Sequence, residues 1–474
     1  MRPNDAFTWY MESDPELRST VVAVAWLEGV PAWEDLTGRM ERATREVPSF
    51  RRRPVDVPGR LSTPRWTTDP HFDVAWHLRR VNAPAPHGRA EVLALAALAA
   101  MSGFDRTRPL WEFTLVEGLK AGGAAVIMKM HHSLTDGIGG VQLALVLFDA
   151  DADHRSSGPP LAAPPGEHVR GHQLVLEALA DRVIRWRDEA WRAVHRTPGA
   201  LVRVARHPFG TGADVLETAR SIERTVRPLP AALSPVMTQR GPGRVLHTIT
   251  VGLDQLKGAG ARSGGTLNDS FMAAVTGGLR RYHEQHGATA DALTVTVPIS
   301  IRTPGDPPGG NRITLQRLRV PMSMVDPIDR TRAIGACCRA ARAERSLAFT
   351  DAIAAAMNLV PTGYVGSVLK HVDFLASDVT GFPDQIFLCG ARVTDYSAFG
   401  PTIGAALNAT LFSYNGSCCI GLTVDTTAVP DHELLVECLK EGFAEVIAAT
   451  RPPGRPERTA TRTAHTVPKT RSSS

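Results

Sequence analysis

The sequence predicts an α/β protein made of two sizeable units joined by a crossover, and three observations carry that prediction. A strand-like alternation through Val126, Met128 and Met130 runs into Val141, Leu145 and Phe148 at helical spacing. After Gly241 a second series begins, with a strand-like start at Val245, a capped helix and another strand at Thr294 to Ile301. Between them, the proline-rich break at residues 157–166 can continue neither a helix nor a central strand. With 474 residues, 43% hydrophobic and 21% charged, the chain can bury a large core, and two or three domains are expected.

Taken in order, residues 1–160 form the first domain and 161–240 a basic helical crossover. Residues 241–450 form the second domain, and 451–474 a disordered basic tail. All eight tryptophans lie at or before Trp191, which separates the two regimes by composition. Residues 170–209 hold eight arginines against four acids, with Leu174, Leu179, Trp186 and Trp191 among them, as amphipathic helices would. Thr266 and Asp269 fit a capping box, so the helix that follows stacks Phe271, Val275, Leu279 and Tyr282 on one face and leaves Asn268 in its first turn. Asn415-Gly416 between two apolar runs predicts a hairpin. The last helix begins near Asp431 and stacks Leu435, Cys438, Leu439, Gly442, Phe443 and Val446.

Charge and cysteine usage exclude several classes. The formal net charge is +5, and the tail from Arg451 carries six basic residues against Glu457 alone, so the folded body is near neutral. A nucleic-acid partner, which wants a basic stripe on a folded module, is therefore not expected. Six cysteines, including the doublets Cys337/Cys338 and Cys418/Cys419, make neither a disulfide framework nor a CxxC zinc site, and they read as small buried hydrophobes. The opening residues lack a basic segment followed by an apolar one, so no signal peptide and a cytoplasmic location are expected. The charge-free segment Ser397 to Val424 is too polar to span a bilayer, which leaves peripheral contact with a membrane open.

The chemistry concentrates at His131-His132-Ser133-Leu134-Thr135-Asp136-Gly137, at a strand-to-helix junction. Period two turns His131 and His132 to opposite faces, which counts against a shared metal, and no metal or bound cofactor is expected. The glycines Gly137, Gly139 and Gly140 match no phosphate-loop spacing. An imidazole, with an ordinary pKa of about 6.5, suits proton abstraction at neutral pH, which makes His132 a candidate base. Asp136 would orient the histidine or fix the loop. Ser133 is disfavoured as a nucleophile, and Trp9 and Trp111 read as packing or channel lining.

Those seven residues match an HHxxxDG signature. With Pro48-Ser49-Phe50-Arg51, Arg108-Pro109-Leu110-Trp111-Glu112, Asn268-Asp269, Pro298-Ile299-Ser300-Ile301-Arg302 and Gly309-Gly310-Asn311-Arg312, the chain resembles the bacterial wax ester synthase/diacylglycerol acyltransferase family over roughly residues 4–446. The signature alone also resembles condensation domains, and the flanking motifs in order make the resemblance specific. It implies two chloramphenicol-acetyltransferase-like domains with the active site in a channel between them, and His132 as general base. His131, Asp136 and Gly137 would support the site, and Arg302 is expected to pair with Asp136. Asn268 is the side chain expected near the tetrahedral oxyanion.

The substrates so implied are a long-chain acyl-CoA and a hydroxyl-bearing lipid. Transfer to diacylglycerol would give triacylglycerol, by direct attack without an acyl-enzyme. Transfer to a fatty alcohol or a specialised hydroxyl acceptor is the alternative, and a lipid-binding protein without catalysis a further one. The chain departs from the family where the usual Asn-Val-Pro-Gly-Pro segment is replaced by Ser377-Asp378-Val379-Thr380-Gly381-Phe382-Pro383, expected to loosen a loop that shapes the channel.

Overall fold

A computed structural model describes residues 1–120, 122–134, 140–141, 144–152, 161–169, 171–180, 208–300 and 313–449. Asp136, Gly137 and Arg302 lie outside the described residues, as do Trp186, Trp191 and the basic tail. Strands occur as β1 (Thr20–Leu27), β2 (Arg52–Val55), β3 (Arg65–Thr68), β4 (Leu78–Asn82), β5 (Trp111–Glu117), β6 (Ala124–His131) and β7 (Arg244–Gly252). Further on come β8 (Ala292–Ser300), β9 (Ile313–Pro321), β10 (Phe374–Phe382), β11 (Phe387–Leu388), β12 (Ala391–Phe399), β13 (Leu407–Tyr414) and β14 (Ser417–Asp425). They build one sheet in the order β11-β12-β1-β6-β5-β4, a second in the order β7-β14-β13-β10-β8-β9, and a small β2-β3 ribbon.

Strand β6 is buried on both faces, so its apolar run is nearly continuous rather than alternating with polar residues. Ala124, Val126 and Met128 enter one cluster with Phe113, Leu115 and Phe412. Ala125 and Ile127 enter another with Val92, Ala96 and Leu246. The second cluster joins the two units, because Leu246 belongs to β7 while Val92 and Ala96 belong to helix Arg89–Met101. A second tie is β12, which leaves the C-terminal half and pairs antiparallel with β1, Ala25 opposite Tyr396 and Val22 opposite Phe399.

The second unit forms as its sequence predicts. Thr266 accepts the N–H of Asp269, and the Asp269 carboxylate accepts the N–H of Thr266, which starts helix Leu267–Gln285. Phe271, Val275, Leu279 and Tyr282 are fully buried, each large apolar side chain contributing about 1.5–3 kcal/mol of burial. That helix crosses helix His432–Ala449 closely, and a Cβ on Gly442 would run into Ala274 O and Gly278. The hairpin joins β13 to β14 through Asn415 and Gly416 at φ 42° and 78°, the left-handed pair a two-residue turn requires. Of the strand expected at Thr294 to Ile301, Thr294 to Ser300 lie in β8 and Ile301 lies outside the described residues.

The segment expected as a loosened loop is instead strand. Ser377 to Val379 continue β10 in parallel pairing with β13, and the register slips only between Val379 and Phe382. The β-branched and aromatic residues of this segment suit a ladder, which supplies the backbone partners a loop would leave open.

Candidate active site

The site grows from the end of β6. Thr20 of β1 lies opposite His131, and Trp111 of β5 lies opposite Met130, so the strand is held from both sides up to its last residue. The backbone then turns, with Leu134 N–H donating to His131 O (3.0 Å) and His132 N–H donating to Ser19 O (2.9 Å). The downstream helical spacing is real: Leu145 N–H reaches Val141 O at 3.0 Å and Phe148 N–H reaches Ala144 O at 3.0 Å.

The two histidines differ in burial, although β6 ends at His131 and both border the second of the cavities described below. His131 is fully buried, edge-on to Trp9 and Phe104, with Nδ1 2.7 Å from Ser133 Oγ and accepting the Ser133 N–H (3.1 Å). Its Nε2 lies 3.3 Å from Glu12 Oε2 without a hydrogen bond among the described residues; with Nδ1 accepting the Ser133 N–H, a neutral ring carries its proton on Nε2. The resulting Ser133–His131–Glu12 order imitates a nucleophilic triad. Ser133 is itself buried, however, and lines none of the cavities around His132. Trp9 and Trp111 are packing residues, donating their indole N–H to Asp56 (3.0 Å) and Phe50 O (2.8 Å).

His132 is half-buried and lines two cavities at once. One, of about 860 Å³ including its mouth, is walled by Phe7, Met11, Val226, Ile353, Met357 and Leu369. The other, of about 1220 Å³ including its mouth, runs past Met130, Ser377, Asp378, Tyr396 and Phe412. Ile313, Leu315 and Ile403 are shared between them, so His132 stands at their seam.

Asn268 lines neither. It borders a third cavity with Cys338 and Arg342, which shares Pro298, Ser300 and Asp378 with the second. Among the described residues its Nδ2 donates to sulfur alone, Met272 Sδ at 3.6 Å and Cys338 Sγ at 3.7 Å. Such weak bonds leave the amide able to exchange partners. The structure thus places His131 beside His132 and leaves Asn268 one chamber away. Among the described residues, no group of three His, Cys, Asp or Glu is arranged to hold a metal ion.

Three contributors escaped the sequence reading. Glu12 carries no motif. Tyr396, on the strand that crosses between units, is stacked on Phe412 and lines the second cavity; its hydroxyl makes no hydrogen bond among the described residues, and burial pushes its pKa up. Asp378 stood in the departing segment, and burial pushes its carboxyl up to about 6, with Arg342 opposing that shift. Asp378 is exposed and lines both the second and the third cavity. Of the cysteine doublets, Cys338, Cys418 and Cys419 are buried and Cys337 is half-buried. Burial raises the thiol of Cys338 to about 11 and that of Cys418 to about 12, so both are neutral hydrophobes.

Two sheet-bearing units, with a histidine at the end of an inner strand where two cavities meet, define a chloramphenicol-acetyltransferase-type fold. The chain belongs to the wax ester synthase/diacylglycerol acyltransferase family: the catalytic domain of that family matches residues 1–271 and its C-terminal domain residues 309–446. A Mycobacterium tuberculosis H37Rv protein named as a diacylglycerol O-acyltransferase is 33% identical over 444 residues, covering 92% of this chain and 89% of that protein. A second from the same strain is 28% identical over 463 residues, covering 94% and 89%. Among solved structures, the wax ester synthase/diacylglycerol acyltransferase of Marinobacter aquaeolei VT8 aligns with TM-score 0.62 and 20% identity, covering 95% of this chain and 99% of that one. The starter condensation domain of rhizomide synthetase, bound to C8-CoA and Leu-SNAC, aligns with TM-score 0.58 and 14% identity, covering 95% and 94%. The protein is an acyl-CoA-dependent O-acyltransferase.

Proposed function

We propose that the protein moves a long-chain fatty acyl group from acyl-CoA to the free hydroxyl of diacylglycerol, forming triacylglycerol, with His132 as general base. The observation that carries this reading is the position of His132 at the seam of an apolar chamber and a more polar one. An acyl chain suits the first, and the acceptor the second. His132 takes the acceptor proton as its oxygen attacks the thioester carbonyl. The C–S bond then breaks as the C–O bond completes, and the imidazolium returns the proton to the departing CoA thiolate. Asn268 supplies an N–H to the oxyanion from across the shared wall of Pro298 and Ser300, exchanging its sulfur partners for a charged oxygen. Asp136 and Arg302 fix the loop beyond His132.

The same reading has a cytoplasmic protein resting peripherally on a membrane or lipid inclusion. Phe349, Leu359 and Tyr364 support it, being exposed around helix Thr350–Met357, whose Ile353 and Met357 wall the apolar chamber. Among the described residues no helix is long and apolar enough to cross a membrane. The test is product analysis with labelled palmitoyl-CoA and diacylglycerol, hexadecanol or no acceptor. Labelled triacylglycerol as the main product supports the reading, and wax ester as the main product replaces diacylglycerol with a fatty alcohol.

A further inference from the structure

Strand register decides which side chains of the first sheet face the acceptor-side chamber. Met130 of β6 lies opposite Val21 of β1, while Ala23 and Ala25 of β1 lie opposite Ala398 and Tyr396 of β12. Directly opposed residues share a face, as does every second residue along a strand. Tyr396 therefore stands on the same face as Val21, Ala23, Met130 and Ala398, and all five border the chamber that His132 lines. Its ring is held by three phenyl groups, stacked on Phe412 (4.6 Å between centroids) and edge-on to Phe382 (5.7 Å) and Phe148 (6.0 Å). Tyr396 is only 6% exposed, yet its hydroxyl makes no hydrogen bond among the described residues. A buried tyrosine hydroxyl ordinarily finds a partner, because an unpaired one is costly, and the surrounding rings present only weak π acceptors. Other polar members of the wall are spent on each other: Asn408 Nδ2 donates to Pro401 O at 2.7 Å, and Thr410 Oγ1 donates to Asn408 Oδ1 at 3.0 Å. The partner Tyr396 lacks is therefore to be sought in what fills the chamber.

We propose that Tyr396 determines acceptor preference: its hydroxyl donates to an ester carbonyl of the acceptor, so the chamber favours a hydroxyl lipid that carries ester groups over one built from alkyl chains alone. This rests on the reading that diacylglycerol occupies the chamber beside His132. Diacylglycerol brings two ester carbonyls, which accept hydrogen bonds, and a fatty alcohol brings none. A phenol, with an ordinary pKa of about 10, keeps its proton at neutral pH and is a donor there. A ring already fixed by its aromatic neighbours loses little freedom when it binds.

The experiment is titration calorimetry of the full chain at neutral pH with 1,2-dihexanoylglycerol and 1,2-di-O-hexylglycerol, which differ only by a methylene in place of each carbonyl, repeated on Tyr396→Phe. The wild type is expected to bind the diester about three- to tenfold more tightly, on the scale of one neutral hydrogen bond. Tyr396→Phe is expected to lose that margin through weaker diester binding, with its affinity for the diether held. Phenylalanine keeps the ring and so the stack on Phe412, and an unfolding curve confirms that the variant is folded. A wild type that binds neither lipid, or binds the diether as well as the diester, overturns the proposal, as does a margin unchanged in Tyr396→Phe. CoA release from palmitoyl-CoA with each lipid is followed in parallel. Silence there with the diester margin intact counts against acyl transfer and leaves ester recognition standing, whereas turnover without the margin does the reverse.

Discussion

Glu12 Oε2 lies 3.3 Å from His131 Nε2 and also accepts the backbone N–H of Ser19 (3.2 Å), while Ser19 O accepts the backbone N–H of His132 (2.9 Å). One carboxylate therefore sits beside the ring of the first histidine and, through Ser19, fixes the backbone of the second. Glu12→Ala is expected to lower stability by about 1–3 kcal/mol, since it leaves the buried Ser19 N–H unpaired. It should also cut acceptor-dependent turnover by roughly 10²-fold, because His132 is no longer held in place. Thermal unfolding and steady-state CoA release measure the two effects, and turnover unchanged in a destabilised protein would separate Glu12 from the site.

Ser133 gives the opposite expectation. Its hydroxyl serves His131 Nδ1 inside the fold, so Ser133→Ala should cost about 0.5–1.5 kcal/mol of stability and leave turnover within a fewfold of wild type. An acyl-serine mechanism would instead abolish turnover in that variant, and a trapped covalent adduct by mass spectrometry would reveal it.

Local chemistry was legible in the sequence where it is local in cause. The capping box at Thr266, the hairpin at Asn415-Gly416 and the strand running into His131 depend on residues within a few positions of one another. Pairing of β12 with β1 was not legible, because nothing near residues 391–399 says which sheet they join. Glu12 went unseen for the same reason, since only tertiary packing carries it to His131. The departing segment was noticed as a break in a motif, yet its physical result is a strand that sets Asp378 in the chamber wall.

Asp378 also makes a prediction about stability. Its folded pKa, about 6, lies above the ordinary carboxylate value, so between about pH 4 and 6 the native state holds a proton that the unfolded state has released. The stability this group contributes is greatest below that window and declines as pH rises through it. Asp378→Asn should therefore raise Tm relative to wild type at about pH 7.5 and leave it nearly unchanged at about pH 4. Differential scanning calorimetry at both pH values checks the sign, and a gain confined to low pH would contradict it.

The apolar chamber should set acyl length. Ala354 lines it from helix Thr350–Met357 and is buried, so Ala354→Phe fills space that a long chain would use. Turnover with palmitoyl-CoA is expected to fall about tenfold or more while octanoyl-CoA is spared, a loss on the scale of several buried methylenes. Parallel loss with both donors would place the acyl chain elsewhere.

The central claim is that His132, at the seam of the two chambers, moves the acceptor proton. Its most direct test compares acceptor-dependent CoA release by wild-type protein and His132→Ala under identical conditions, with unfolding curves confirming that both are folded. A loss of roughly 10²–10⁴-fold in the variant is the result the account predicts. A folded His132→Ala protein that releases CoA at close to the wild-type rate would contradict it.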